Sequence, residues 1–431
     1  MMPTDRFERQ LPVTLTELAE PRTPDYLDDL LWQTARTSQR PAWSFPERWL
    51  PMLDIVRQPV AAPPVPWRSI GLAFALMALL IAMVAALVVG GRSNPPAPFG
   101  PARNGLVAYA SEGDIFTADP VTGASSAIVA GPTTDLDPRW SLDGTRLAFE
   151  RKTKGDVGPG LLYVVESDGS NPILVTPEPL PGIEGYAFSP NGDELLISAS
   201  PGGVQGILLA AVDGTGIRQL VTPQRAANAA WRPPDGSEIL FTDAGNYTNG
   251  FGSLYAMNVA TGEIRTVQER EAGVYRAHHL WSPDGSQIAY VEWIDSGGLT
   301  AQTHIIAADG SGDRVLPLPE GAVWQAAFGW SNDGTRLLVI RGDTGDFEGS
   351  VAAVVPVDGS GSGVEFDTSG AIGVDCCTGW TWAPDDTSIL GTPTTAAGQP
   401  LDQVLLDPAT GASKEVPWNA TSYPAWQRLA D

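Results

Sequence analysis

The chain has three histidines and two cysteines in 431 residues, so the side chains best suited to metal or nucleophilic chemistry can be weighed singly. His278 and His279 are adjacent and His304 lies further on, without the cluster of ligands that a zinc site requires. Because successive strand residues face opposite ways, one of the adjacent pair should point inward and the other outward. All three histidines are therefore expected to serve structure. Cys376 and Cys377 are neighbours, which is no metal-ligand spacing. They form either a strained vicinal disulfide in an oxidising compartment or plain thiols in a loop. No Gly-x-Ser-x-Gly elbow presents a serine, and the Asp-Gly pairs do not provide the carboxylate series of an EF-hand-like loop. These absences predict no catalytic residue, no metal, no cofactor and a protein that is not an enzyme. A hydrolase or lyase would instead need a polar pocket in a central channel, with convergent carboxylates or His278.

The elements that would position such groups come from a repeat. An aromatic residue, a polar turn and a β-prone run recur at Trp140, Phe188, Trp231, Trp281, Trp330, Trp382 and Trp426, spaced 48, 43, 50, 49, 52 and 44 residues apart. The clearest copies are Trp140-Ser-Leu-Asp-Gly144, Trp281-Ser-Pro-Asp-Gly285 and Trp330-Ser-Asn-Asp-Gly334. A period of this order signals a propeller or a similar array. Asp-Gly and Asn-Gly tolerate the positive φ of tight hairpins, and the following runs, such as Gln287-Ile-Ala-Tyr-Val291, suit strands. A second set of turns, from Val121-Thr-Gly123 to Ala409-Thr-Gly411, also numbers seven. The two counts together predict an all-β, seven-bladed propeller of four-stranded sheets, with six or eight blades as alternatives.

The first repeat starts at Gly105-Leu-Val-Ala-Tyr109 without its aromatic strand, and the last stops just past Trp426. Pairing the two would close the ring and leave no open edge in that blade. The seven aromatics should then pack between blades rather than form a site. The expectation is that no peptidase domain follows the last blade. Loops interrupting the repeat at 152–158, 243–251 and 343–348 should share one rim, where recognition commonly resides. Lys152, Lys154, Tyr247, Phe251 and Phe347 are the candidate recognition residues.

Residues 69–91 carry no charge, long enough at about 1.5 Å per residue to cross a hydrocarbon core of about 30 Å. The chain thus divides into a tail (1–68), a transmembrane helix (69–91), a Pro-rich linker (92–104) and a propeller (105–431). Arg40, Arg48, Arg57 and Arg68 precede the span, which favours a cytoplasmic N-terminus and so a propeller outside the plasma membrane. Residues 92–431 hold 18 basic and 41 acidic side chains, which argues against nucleic acid. In the tail, Thr23 caps a short amphipathic helix over about 24–38, and Trp43, Phe45 and Trp49 follow among prolines. This piece is too small to bury its own aromatics, so it should dock on a protein or the membrane interface.

The Trp-Ser-Pro-Asp-Gly-like turn and Ile-Ala-Phe-like strand resemble TolB-type, WD40-like propeller repeats over about Phe99 to Asp431. TolB itself has six blades, so seven is a departure. The resemblance implies extracytoplasmic protein binding, and its fold also gates peptidases. The layout and the segments Thr23–Asp29 and Gln39–Pro51 resemble membrane-bound bacterial anti-sigma regulators, without their zinc-binding His/Cys pattern. That resemblance implies a cytosolic partner, such as a sigma factor, on residues 1–60. The expectation is a non-enzymatic membrane protein whose propeller binds a protein or other ligand and signals to the tail. A tethered envelope scaffold or adhesion module, and a propeller enzyme, are the alternatives.

Overall fold

The computed structural model describes residues 99–430 apart from 154, 156–157, 221, 223–224, 244–251, 270, 272–273, 296–298, 345–349, 367–378, 393–401, 419 and 421–422. The tail, the 69–91 segment and most of the linker lie outside the described residues. Among those described, no helix is long and apolar enough to cross a membrane.

Seven antiparallel sheets of four strands each follow one another along the chain. Blade 1 holds the first three strands, from Arg103–Ser111 to Ser125–Val129, and is completed by the last strand, Ala425–Leu429. Val107 lies opposite Trp426 in that pairing, so the two ends of the domain share one sheet. Blades 2 to 7 begin with Thr133–Trp140, Gly185–Phe188, Ala226–Trp231, Val274–Trp281, Trp324–Trp330 and Thr381–Trp382. These six strands and Ala425–Leu429 each lie against their counterparts in the blades on either side, closing an inner ring.

The polar turn after each aromatic is built by its own side chains. In three blades the serine hydroxyl donates to the aspartate two residues on, at 2.6 Å for Ser141–Asp143, Ser282–Asp284 and Ser331–Asp333. The serine oxygen in turn accepts an amide across the hairpin, from Arg146 at 2.9 Å and from Gln287 at 2.9 Å. Gly144 shows why glycine ends the turn: its φ is +70°, and a Cβ there would meet the carbonyl oxygen of Arg428 at 2.1 Å. The turn of blade 2 thus lies directly on the closing strand.

The seven aromatics are all buried, at 4–9% exposure. Trp330 packs with Ala289 and Ile305 of blade 5 and with Leu337 and Val339 of its own blade. Its indole N–H donates to the carbonyl of Leu280 at 3.1 Å, again in blade 5. Trp231 and Trp382 reach Ala187 and Gly329 of their preceding blades in the same way, at 3.4 Å each. Such rings bury roughly 150–250 Å² apiece, which makes them the largest elements of the inter-blade core.

Candidate functional site in the inner ring

The inner strands of blades 2, 4 and 5 each carry a bulge where register shifts, between Leu136 and Arg139, Ala227 and Ala230, and Ala277 and Leu280. The bulged residues Asp137, Asn228 and His278 have φ of 50°, 54° and 53°. Side-chain-bearing residues seldom adopt this region, and bulges re-aim side chains and often lie next to active sites. Each of the three stands three residues before its blade aromatic. Clamps from the next blade hold two of them: the Tyr186 hydroxyl donates to the Asp137 carbonyl, and His279 Nε2 donates to the Asn228 carbonyl. Asn228 is exposed on an innermost strand, so the space it opens on is the channel.

The two adjacent histidines face opposite neighbours, His279 towards blade 4 and His278 towards blade 6. His279 is buried and His278 half-buried, and burial lowers both imidazoles to about 4. Both rings are therefore neutral at neutral pH. His278 meets the Phe328 ring edge-on at 5.1 Å. His304 belongs to a different pattern. It stacks across strands on Tyr290 at 5.0 Å, as Tyr163 does on Phe149, Tyr255 on Phe241 and Phe116 on Tyr109. Its Nδ1 lies 3.1 Å from Asp313, whose other oxygen accepts the Tyr290 hydroxyl at 3.0 Å. A histidine here takes the place of a packing aromatic.

Charged side chains gather towards the loop-bearing end of the same strands. Asp135, fully buried, accepts two bonds from Arg151, at 2.7 and 2.8 Å. The Arg151 guanidinium lies over the rings of Tyr163 and Phe149, at 4.8 and 5.2 Å. The neighbouring Glu150 is 7% exposed at its side chain, and Lys152 Nζ sits 3.2 Å from its carboxylate. Burial pushes the Glu150 carboxyl up, and the Asp137 charge adds to that; Lys152 opposes both without cancelling them. Burial raises the Tyr186 hydroxyl as well, with Asp137 contributing. In blade 5 the signs are exchanged: Arg276 occupies the inner strand, 3.2 Å from Glu292 and 3.6 Å from Glu271.

Chemically, Glu150, Lys152, Asp137 and Tyr186 make a set in which one carboxyl holds its proton more tightly than usual beside an amine. Environments that push neighbouring titratable groups apart are those that divide acid and base roles. Among the described residues no three His, Cys, Asp or Glu side chains are placed to hold a metal ion.

Of the residues singled out in the sequence, the seven aromatics lie between blades, packed against the preceding one. Lys152 is on the rim between second and third strands, bound to Glu150. Lys154, Tyr247, Phe251, Phe347, Cys376 and Cys377 lie outside the described residues. The sequence reading passed over Glu150, Asp137, Tyr186 and Arg276. One signal existed: aligning repeats on their aromatics puts Asp137, Asn228 and His278 in one column.

No family model matches the chain. An uncharacterized peptidase, YuxL of Bacillus subtilis, is 25% identical over 179 residues, which are 41% of this chain and 24% of that protein. The chain thus matches about a quarter of this relative's length. Among solved structures, an oligogalacturonate lyase in complex with manganese is similar at TM-score 0.53 and 15% identity, covering 73% of this chain and 84% of the lyase. A puromycin-hydrolyzing peptidase of Mycobacterium tuberculosis is similar at TM-score 0.50 and 17% identity, covering 77% of this chain and 55% of the peptidase. TolB of Acinetobacter baumannii is also a neighbour, at TM-score 0.44 and 16% identity over 80% of this chain and 71% of TolB. The structural likenesses concern the propeller fold.

The expectation of a non-enzymatic protein is corrected by the sequence relative, which is a peptidase. The reason it failed is physical. The absence of an elbow or a ligand cluster excludes chemistry carried on one short segment. A propeller brings together side chains about one repeat apart, such as Asp137 and Tyr186, which are 49 residues apart.

Proposed function

We propose that the chain is a propeller enzyme of the hydrolase or lyase class, with its reacting groups on the first two strands of blade 2 and the inner strand of blade 3. The observation that carries the reading is Glu150, a buried carboxyl of raised proton affinity 3.2 Å from the amine of Lys152. The sequence match to a peptidase supports the class. Glu150 acts as the acid–base group, its proton affinity raised by burial, lowered in part by Lys152 and raised further by Asp137, and Tyr186 holds the bulge that carries Asp137. Substrate enters from the rim that bears the long loops. Residues 69–91 serve as a membrane anchor with the propeller outside the cytoplasm, and residues 1–60 meet a regulatory partner such as a sigma factor.

The test is turnover by the full chain in detergent micelles, with a mixed peptide library and with oligogalacturonides as separate substrates. One of the two should be cleaved, and Glu150→Gln should lower the rate by about 10²-fold or more, the usual contribution of a positioned acid–base group. Turnover of neither substrate, or an unchanged rate in the variant, would contradict the reading.

A further inference from the structure

The chain enters the propeller on the turn-bearing side, and its first described residues do not run along the outside of the disc. Phe99 and Gly100 wall two adjoining clefts of about 520 and 270 Å³. The other walls of the smaller cleft are the turn-side ends of three consecutive inner strands, among them Trp231, Trp281, Trp330 and His279. From there the backbone passes to blade 7, where the Ala102 amide donates to the Pro384 carbonyl at 2.8 Å. The segment therefore spans the ring from blades 4–6 to blade 7 before joining blade 1. Gly100 has a φ of +89°, a bend that side-chain-bearing residues resist.

One residue pins this crossing from the ring itself. Arg428, on the closing strand, donates through Nη2 to the Gly100 carbonyl and through Nη1 to Asn332 Oδ1 at 2.8 Å. Asn332 is locked in turn by Asp386, which accepts the Asn332 amide at 2.7 Å, its side-chain nitrogen at 2.8 Å and the Asp333 amide at 2.8 Å. Blades 1, 6 and 7 thus converge on the peptide between Gly100 and Pro101.

We infer that Phe99–Ala102 is a strap closing the turn-side mouth of the channel, with Arg428 as its latch. The channel is then a blind tube, entered only from the loop rim. Release of the latch would open a second entrance lined by Trp231, Trp281 and Trp330. This inference concerns access rather than chemistry, and its test reads labelling, so it stands or falls apart from the acid–base reading.

The test uses the full chain in detergent with Cys376→Ser, Cys377→Ser and Ala230→Cys, Ala230 being a wall of the smaller cleft. Maleimide labelling of that thiol should be slow. Adding Arg428→Gln should speed it by about tenfold or more, as expected for loss of one charge-assisted hydrogen bond. Phe99→Ala, which leaves the Arg428 network intact, should do the same while cooperative unfolding is retained. Fast labelling before either change, or equal rates in both latched and unlatched proteins, would overturn the strap.

Discussion

His279 offers a stability test whose size follows from its surroundings. The ring is 6% exposed and donates through Nε2 to the Asn228 carbonyl, and burial lowers its pKa from 6.5 to about 4. An unfolded chain binds the proton near 6.5, whereas the folded one refuses it until about 4. Stability from this group is therefore complete above pH 6.5 and is lost progressively as pH falls towards 4. At 1.36 kcal/mol per pKa unit the loss comes to about 3 kcal/mol. His279→Gln keeps a donor for Asn228 and removes the titration. Urea unfolding followed by tryptophan fluorescence, at pH 7, 6, 5 and 4, should show the parent's advantage over the variant shrinking by about 3 kcal/mol across the range. Parallel curves for the two proteins would refute the argument, because a half-solvated ring would have protonated in both states alike.

Three further perturbations test the frame that holds the ring. Asp135→Ala should cost about 3 kcal/mol in urea unfolding by leaving Arg151 without its buried partner, and Asp135→Ala with Arg151→Met should recover most of it. Trp426→Ala should cost about 3–5 kcal/mol in the same measurement, because it opens a cavity where the two ends of the domain meet. Ser331→Ala should cost about 1 kcal/mol at neutral pH by removing a turn hydrogen bond. Burial alone would raise Asp333, but the Ser331 hydroxyl and the Thr335 amide and hydroxyl outweigh it and hold that carboxyl below its usual range. The stability it lends is present above the ordinary carboxylate range and lost as pH falls through the folded value, so the Ser331→Ala penalty should diminish in acid.

Much of the architecture was legible because its cause is local and recurs. A serine two residues before an aspartate, followed by glycine, writes the same hairpin wherever it stands. Three clear and three degenerate copies of an aromatic before that hairpin, with the lone Trp426, give the number of blades. The missing aromatic before Gly105 and the surplus one at Trp426 announced the closing pair Val107–Trp426. The inner ring was harder to read because its causes are not local. Asp137 is unremarkable on its strand until a bulge turns it and the hydroxyl of Tyr186 reaches it from the next blade. Glu150 reads as a strand residue whose partner Lys152 lies two positions away on the same strand, which looks like a solvated pair until Glu150 is seen buried and Lys152 half-buried.

The central claim is that Glu150, on the second strand of blade 2, does acid–base work. It is tested most directly by the pH dependence of turnover, parent against Glu150→Gln, on whichever substrate the parent cleaves. The raised carboxyl predicts a limb in the parent profile above the ordinary glutamate value, and a variant with residual turnover that lacks this limb. A variant that keeps both the rate and the limb would contradict the account.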